Sequence, residues 1–367
     1  MTEKILQIFE SLKEIMTVSG FETVNSEAVR SVALSAADGF FESSEITKSG
    51  SVLLYHKSKK QNAKTLLLDA HIDTIGLVIS EICDGGFVRS APVGGIDRRN
   101  LTTAEVEIYG KKKITGIFSS IPPHLASKDG SDTIPEFADY LIDTGLSEKE
   151  AKELICVGAP AVFVGKTERL LGDRICSAHL DDKICCAAIL AACSALCGKE
   201  TGCNVTVLLS SGEETCEGGA AGASYVTRAD GAIALDVNFA SGKGVPEYQS
   251  SKIGDGAMIS RSAVTDKRMT DIVVSCAKSA DIPHKVIAEV GGTGTNADII
   301  EVTNLGTPCA VLSVPISYMH TPCELCSLSD VEAVSKIVMS VIANFGEMSG
   351  KDGTKLGVRI LKGGDRE

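Results

Sequence analysis

Residues 65–73 read TLLLDAHID. The consecutive aliphatic positions are too few for a helix and do not alternate, which is the pattern of a strand buried on both faces. The run closes on a histidine and an aspartate. Three further runs are built alike, VTVLLSSGEE (205–214), GAIALDV (231–237) and CAVLSVP (309–315). Between them lie helical patterns, DDKICCAAILAACSAL (181–196) and the stretch 266–280. This alternation predicts an α/β layered sheet rather than a β-sandwich. Residues 75–169 differ. They hold the short β-like runs GLVIS, GFVRSAPVG, AEVEIYG, KKITGIF and AVFVG, broken by glycine and proline, with helical character only near ADYLIDTGLSEKEAKEL. That shift in composition predicts a small β-rich domain inserted into the α/β domain.

A chain of 367 residues, 44% hydrophobic, can bury a large core in one or two domains. Its start, MTEKILQIFESLKEIM, scatters charges through an apolar helical pattern, so it predicts neither a signal peptide nor a membrane span. A cytoplasmic protein is expected. The net charge of −12 leaves no basic footprint for nucleic acid. Aromatic residues make up 4% with no tryptophan, which disfavours a sugar-stacking cleft. The thirteen cysteines are odd in number and often sit inside apolar runs, so they read as reduced, mostly buried thiols. The single CxxC, Cys323 to Cys326, lacks a second pair for a structural zinc site.

In open α/β sheets, functional side chains gather beyond the carboxyl ends of the strands. The polar residues that end these runs are His71 and Asp73, Glu213 and Glu214, and Asp236; Asp181 and Asp182 open a helical pattern, and His320 follows SVPISY. Each has an ordinary reading alone, as a helix cap, a loop charge or a satisfied histidine. Together they concentrate carboxylates in one place, at a cost that divalent cations would relieve. Two histidines and a surplus of carboxylates suit two borderline ions sharing a bridging carboxylate.

The chain resembles the glutamyl and deblocking aminopeptidases, a family that includes the tetrahedral aminopeptidases and proteins named cellulase M. The resemblance runs nearly end to end through DAHIDTIG (69–76), APVGGIDRRNL (91–101), SSIPPHL (119–125), LDDK (180–183), SSGEE (210–214), ALDV (234–237), GGTGTNADII (291–300) and SVPISYMHTPCE (313–324). It implies a three-layer α/β/α metallopeptidase domain with a mixed central sheet, formed by residues 1–74 and 170–367, and an inserted β-barrel-like oligomerisation domain at 75–169. It implies two divalent ions per subunit, zinc or cobalt, with manganese a further candidate. His71, Asp181 and Asp236 would hold one ion. Asp181, Glu214 and His320 would hold the other, Asp73 would orient His71, and Glu213 would be the general base. Short peptides would be the substrates, and dimers building a dodecamer the assembly.

Some positions depart from the commoner family wording: Thr74, Lys183, and CEGGAA at 216–221, with His179 close before the aspartate pair. The GGTGTNAD stretch is expected to line the substrate cleft, since glycine admits close backbone approach. Rival readings are a metallohydrolase of N-acyl amino acids, an endoglucanase, and a non-catalytic assembly protein.

Overall fold

The computed structural model describes residues 1–120 and 134–348. Most of the SSIPPHL segment, from Ile121 on, and the polar tail 351–367 lie outside the described residues. The four apolar runs form the parallel centre of an eight-stranded mixed sheet, in the order Asn204–Ser210, Thr65–His71, Gly231–Phe239, Cys309–Ile316. Val52–His56 and then Ser43–Ile46 extend one edge antiparallel. Ala257–Arg261 joins the other edge antiparallel, and His284–Ala288 follows parallel to it.

Burial explains the unbroken aliphatic runs. In Thr65–His71, Leu66, Leu68 and Ala70 face one core, shared with the helices Thr2–Lys13, Leu180–Leu196, Lys267–Ser279 and Leu328–Met348. Leu67 faces the opposite core, closed by Gly218–Thr227 and the short helix Ala297–Ile300. The result is the expected α/β/α sandwich. Helix Leu180–Leu196 is apolar all round because it packs on the sheet and on three further helices. Its alanines and cysteines are small enough for that, and Cys185, Cys186 and Cys193 are fully buried as small hydrophobes.

Directly after His71 the chain enters a closed barrel of six strands, in the order Gly76–Ile82, Val88–Val93, Ile142–Asp143, Lys113–Phe118, Glu105–Tyr109, Pro160–Phe163. Its core is separate, with Leu77, Val88, Val106, Ile108 and Phe163 among its members. The helical expectation for ADYLIDTGLSEKEAKEL holds only for its second half. Ser147 and Glu150 form a reciprocal cap that starts the helix Glu148–Leu154. The first half instead makes a 3₁₀ turn, Phe137–Asp139, and the two-residue strand that closes the barrel. A further sheet of Glu168–Arg169, Arg174–Ser177 and Glu324–Ser327 ties the barrel's exit to the segment after His320. Strands this short leave too little pattern for sequence reasoning.

Candidate metal centre

Register sets the site. Ser210 lies opposite His71, and Ala234 lies opposite Asp69, so Asp236, two residues on, comes level with His71. Glu213 and Glu214 sit on the turn that follows Ser210, and His320 follows the end of Cys309–Ile316. Asp181 enters from the start of helix Leu180–Leu196, where Asp181 and Asp182 are not helical and the peptide bond between them is cis. All of these project beyond the carboxyl ends of parallel strands.

Asp181 stands in the middle. One carboxylate oxygen is 3.1 Å from His71 Nε2 and the other 3.3 Å from His320 Nε2. His71 Nε2 is also 3.8 Å from Asp236 Oδ1 and 3.8 Å from Glu213 Oε2, while His320 Nε2 is 3.5 Å from Glu214 Oε2. Two groups of donor atoms result, His71 with Asp181 and Asp236, and Asp181 with Glu214 and His320, each set lying within 4.8 Å of one another. Asp182 belongs to neither. It is fully buried, and desolvation pushes its carboxyl well above the usual range.

Asp73 meets the other ring nitrogen of His71 through its backbone. The partner of His71 Nδ1 is the Asp73 main-chain carbonyl at 2.9 Å, with the nearer carboxylate oxygen at 3.7 Å. The carboxylate is occupied elsewhere, accepting the backbone N–H groups of Glu213 and Glu214, each at 3.1 Å. Glu22, which sequence reasoning did not single out, accepts the Gly212 N–H at 2.8 Å. Three consecutive amides of the acidic turn are thus held by buried carboxylates.

The electrostatics show how much charge is gathered here. Burial holds Glu213 up at about 7 and Glu214 up at about 8, with neighbouring carboxylates, Asp181 among them, adding to both. Asp236 is driven well up by burial and by Asp182. Burial opposes charge on the histidines too, but the surrounding acids outweigh it, leaving His71 well above its ordinary range and His320 at about 9. Asp181 falls well below the carboxylate range because the two imidazoles overcome its burial. Glu214 Oε1 is buried with no partner among the described residues. Imidazole nitrogens and carboxylate oxygens are the donor set of borderline divalent ions, and such ions would neutralise this excess. The residues fit two such ions.

Other residues that shape the site lacked a legible signal. Glu324 accepts the backbone N–H of Asp181 at 3.1 Å and that of His320 at 2.9 Å, so one buried carboxylate ties two donor residues together. Gly94 and Gly95 bring the barrel onto the site. A Cβ on Gly95 would stand 2.9 Å from His320 Nδ1, and one on Gly94 3.3 Å from Glu214 Oε2. Three of the residues that depart from the family wording, His179, Lys183 and Thr74, bond to main-chain carbonyls. His179 bonds the Phe163 carbonyl at 3.2 Å and is held at about 3 by burial and by Lys183. Lys183 donates to the carbonyls of Leu12 and Ile15 at 3.2 and 2.7 Å. Thr74 is buried with its N–H on the Thr17 carbonyl. The CxxC is split, Cys326 buried in the core and Cys323 exposed.

Known proteins resemble the chain over most of its length. Residues 50–337 match the family model described as M42 glutamyl aminopeptidase. The lysyl aminopeptidase of Pyrococcus furiosus is 28% identical over 350 residues, which cover 93% of this chain and 98% of that protein. Among solved structures, the TET aminopeptidase of a marine-sediment Thaumarchaeota archaeon superposes with a TM-score of 0.86 at 26% identity, covering 95% of this chain and 98% of that one. The Pyrococcus horikoshii TET1 peptidase, which can assemble into a tetrahedron or a large octahedral shell, gives 0.79 at 26% identity, covering 92% of this chain and 99% of that one. The match over most of the length, together with the donor groups around Asp181, makes this chain a member of the M42 aminopeptidase family.

Proposed function

We propose that this chain is a dinuclear-metal aminopeptidase that removes the N-terminal residue from short peptides in the cytoplasm. The observation that carries the reading is Asp181, a single carboxylate common to two donor groups, with Glu213 beside them. His71, Asp181 and Asp236 would hold one ion, and Asp181, Glu214 and His320 the other, with zinc or cobalt the best fit to these donors. When bound, such ions supply polarisation of the scissile carbonyl and a lowered pKa for water.

The protein's own groups supply the proton transfers and the positioning. Glu213 takes a proton from the attacking water and returns it to the departing amine nitrogen. Burial and the neighbouring carboxylates raise its pKa, and two cations beside it would oppose that rise and favour the ionised form that accepts a proton. Asp73 and Glu22 fix the backbone of the turn so that Glu213 and Glu214 diverge. The Asp73 carbonyl fixes the tautomer of His71, leaving Nε2 free to face Asp181 and Asp236. The described residues contain no helix long and apolar enough to cross a membrane, which is compatible with a cytoplasmic site of action.

We further propose that the barrel insert, with domain limits near 75–169, serves oligomerisation, and that dimers assemble into a dodecamer. The assemblies formed by TET relatives support this reading. The rival with the same donor set is a hydrolase of N-acyl amino acids. The deciding experiment is release from aminoacyl p-nitroanilides, short peptides and N-acetyl amino acids by metal-stripped protein reloaded with zinc or cobalt. Metal-dependent cleavage of free-amine substrates is expected, and Glu213→Gln should lower kcat by about 10²- to 10⁴-fold while retaining bound metal. Turnover of acylated substrates alone would replace this reading with the rival.

A further inference from the structure

The sheet face that carries Asp236 holds a second polar group, which the catalytic reading does not use. Asn238 lies two residues beyond Asp236 on the strand Gly231–Phe239, hence on the same face and roughly 7 Å further along. Its side-chain amide donates to Glu289 Oε1 at 2.6 Å, and its Oδ1 accepts the Phe239 N–H at 2.7 Å. Glu289 begins the segment 289–296 that leaves the strand His284–Ala288 and turns back over the sheet. At its far end Asn296 donates to Asp69 Oδ2 and Ser210 Oγ, both at 2.9 Å. The segment is therefore anchored on both flanks of the metal-ligating edge, past Asp236 on one side and before His71 on the other.

Between the anchors, the buried polar atoms Glu289 Oε2, Ser260 Oγ and Ser313 Oγ are left without a hydrogen-bond partner among the described residues. Both serines are 0% exposed. Register puts them on the face of Asp236, since Ser313 lies opposite Asp236 and Ser260 lies opposite Val311, two residues from Ser313. Ser260 is close enough to act on the Glu289 carboxyl, though outside hydrogen-bond geometry. No described lysine or arginine pairs with Glu289, and Asp298 adds negative charge nearby. A primary ammonium has three donors and no acceptor, which complements this set. The offset from Asp236 to Asn238 is a length that an extended lysine side chain covers.

We propose that Glu289, held in place by Asn238, reads the side chain of the substrate's first residue and selects lysine. The proposal rests on the aminopeptidase reading and adds the substrate class to it. The test uses zinc- or cobalt-loaded protein, wild type and Glu289→Gln, on lysyl, arginyl, leucyl and glutamyl p-nitroanilides. Calorimetry of free L-lysine and L-leucine binding accompanies it. The wild type should favour lysyl over leucyl in kcat/KM by at least about tenfold, as loss of a buried charge partner would produce, and Glu289→Gln should bring that ratio close to one, chiefly through KM. Tight L-lysine binding should disappear with it, and Glu289→Lys should move the preference toward glutamyl. A lysyl-to-leucyl ratio within twofold of wild type in Glu289→Gln, with cleavage intact, would overturn the inference, assign the free acceptors to buried water and leave the aminopeptidase reading standing. Absence of cleavage of every free-amine substrate by the wild type would remove both.

Discussion

Glu213 and Glu214 are adjacent in sequence, yet one faces His71 and the other His320. Their divergence comes from a turn whose amides are fixed by Asp73 and Glu22, so side-chain identity and backbone restraint are both needed. The donor residues themselves were legible, because a buried strand that ends in a charge requires a partner for it. Gly95 was not, since its importance lies in what a side chain would strike. Gly95→Ala places a carbon against His320 Nδ1 at a distance that the imidazole must yield to. The expected outcome is weaker binding of the ion proposed for Glu214 and His320, read as a lower metal stoichiometry under limiting zinc, with an unchanged circular dichroism spectrum. Full metal content in Gly95→Ala would show that His320 has room to move.

At the scale of elements, the long buried strands and the helix Leu180–Leu196 were readable because each has enough residues to display a period. The barrel's two-residue strand and the sheet beside His320 were not, since their pairing depends on neighbours distant in sequence. Asp330 shows how such distant elements are joined. In the first turn of Leu328–Met348, it accepts the N–H groups of Gly254 and Gly256, both at 2.7 Å, and so fixes the turn before strand Ala257–Arg261. Desolvation outweighs those bonds and raises its pKa to about 6. A folded-state pKa above the unfolded value means that the folded protein holds this proton more tightly. The associated stability is present below the ordinary aspartate range and is lost as pH rises through about 6. Urea unfolding of wild type and Asp330→Asn should therefore give a stability difference that shifts against the wild type between about pH 4 and 6 and is flat above it. A difference independent of pH would place the aspartate's whole contribution in its hydrogen bonds.

For the whole molecule, metal ions bound as proposed would act as structural ligands as well as reagents, because the candidate donor residues come from four separate strand ends and a helix start. Binding to the folded state alone adds about 2.7 kcal/mol at a hundredfold excess over Kd, so chelation should lower Tm and zinc or cobalt should restore it. Since ions bound as proposed would displace protons from Glu214 and Asp236, the gain should shrink as pH falls. Light scattering would measure the assembly, and a monomer at micromolar concentration would remove the dodecamer proposal.

The glycine pair at 94–95 has one more implication. The insert leaves the sheet directly after His71, and its loop returns to lie against Glu214 and His320. A swap of this insert between relatives would therefore exchange part of the wall of the candidate metal centre along with the insert's outer surface. Drift in one is coupled to the other, so a lineage can remodel the insert's outer surface only as far as that small stretch of backbone keeps its seat.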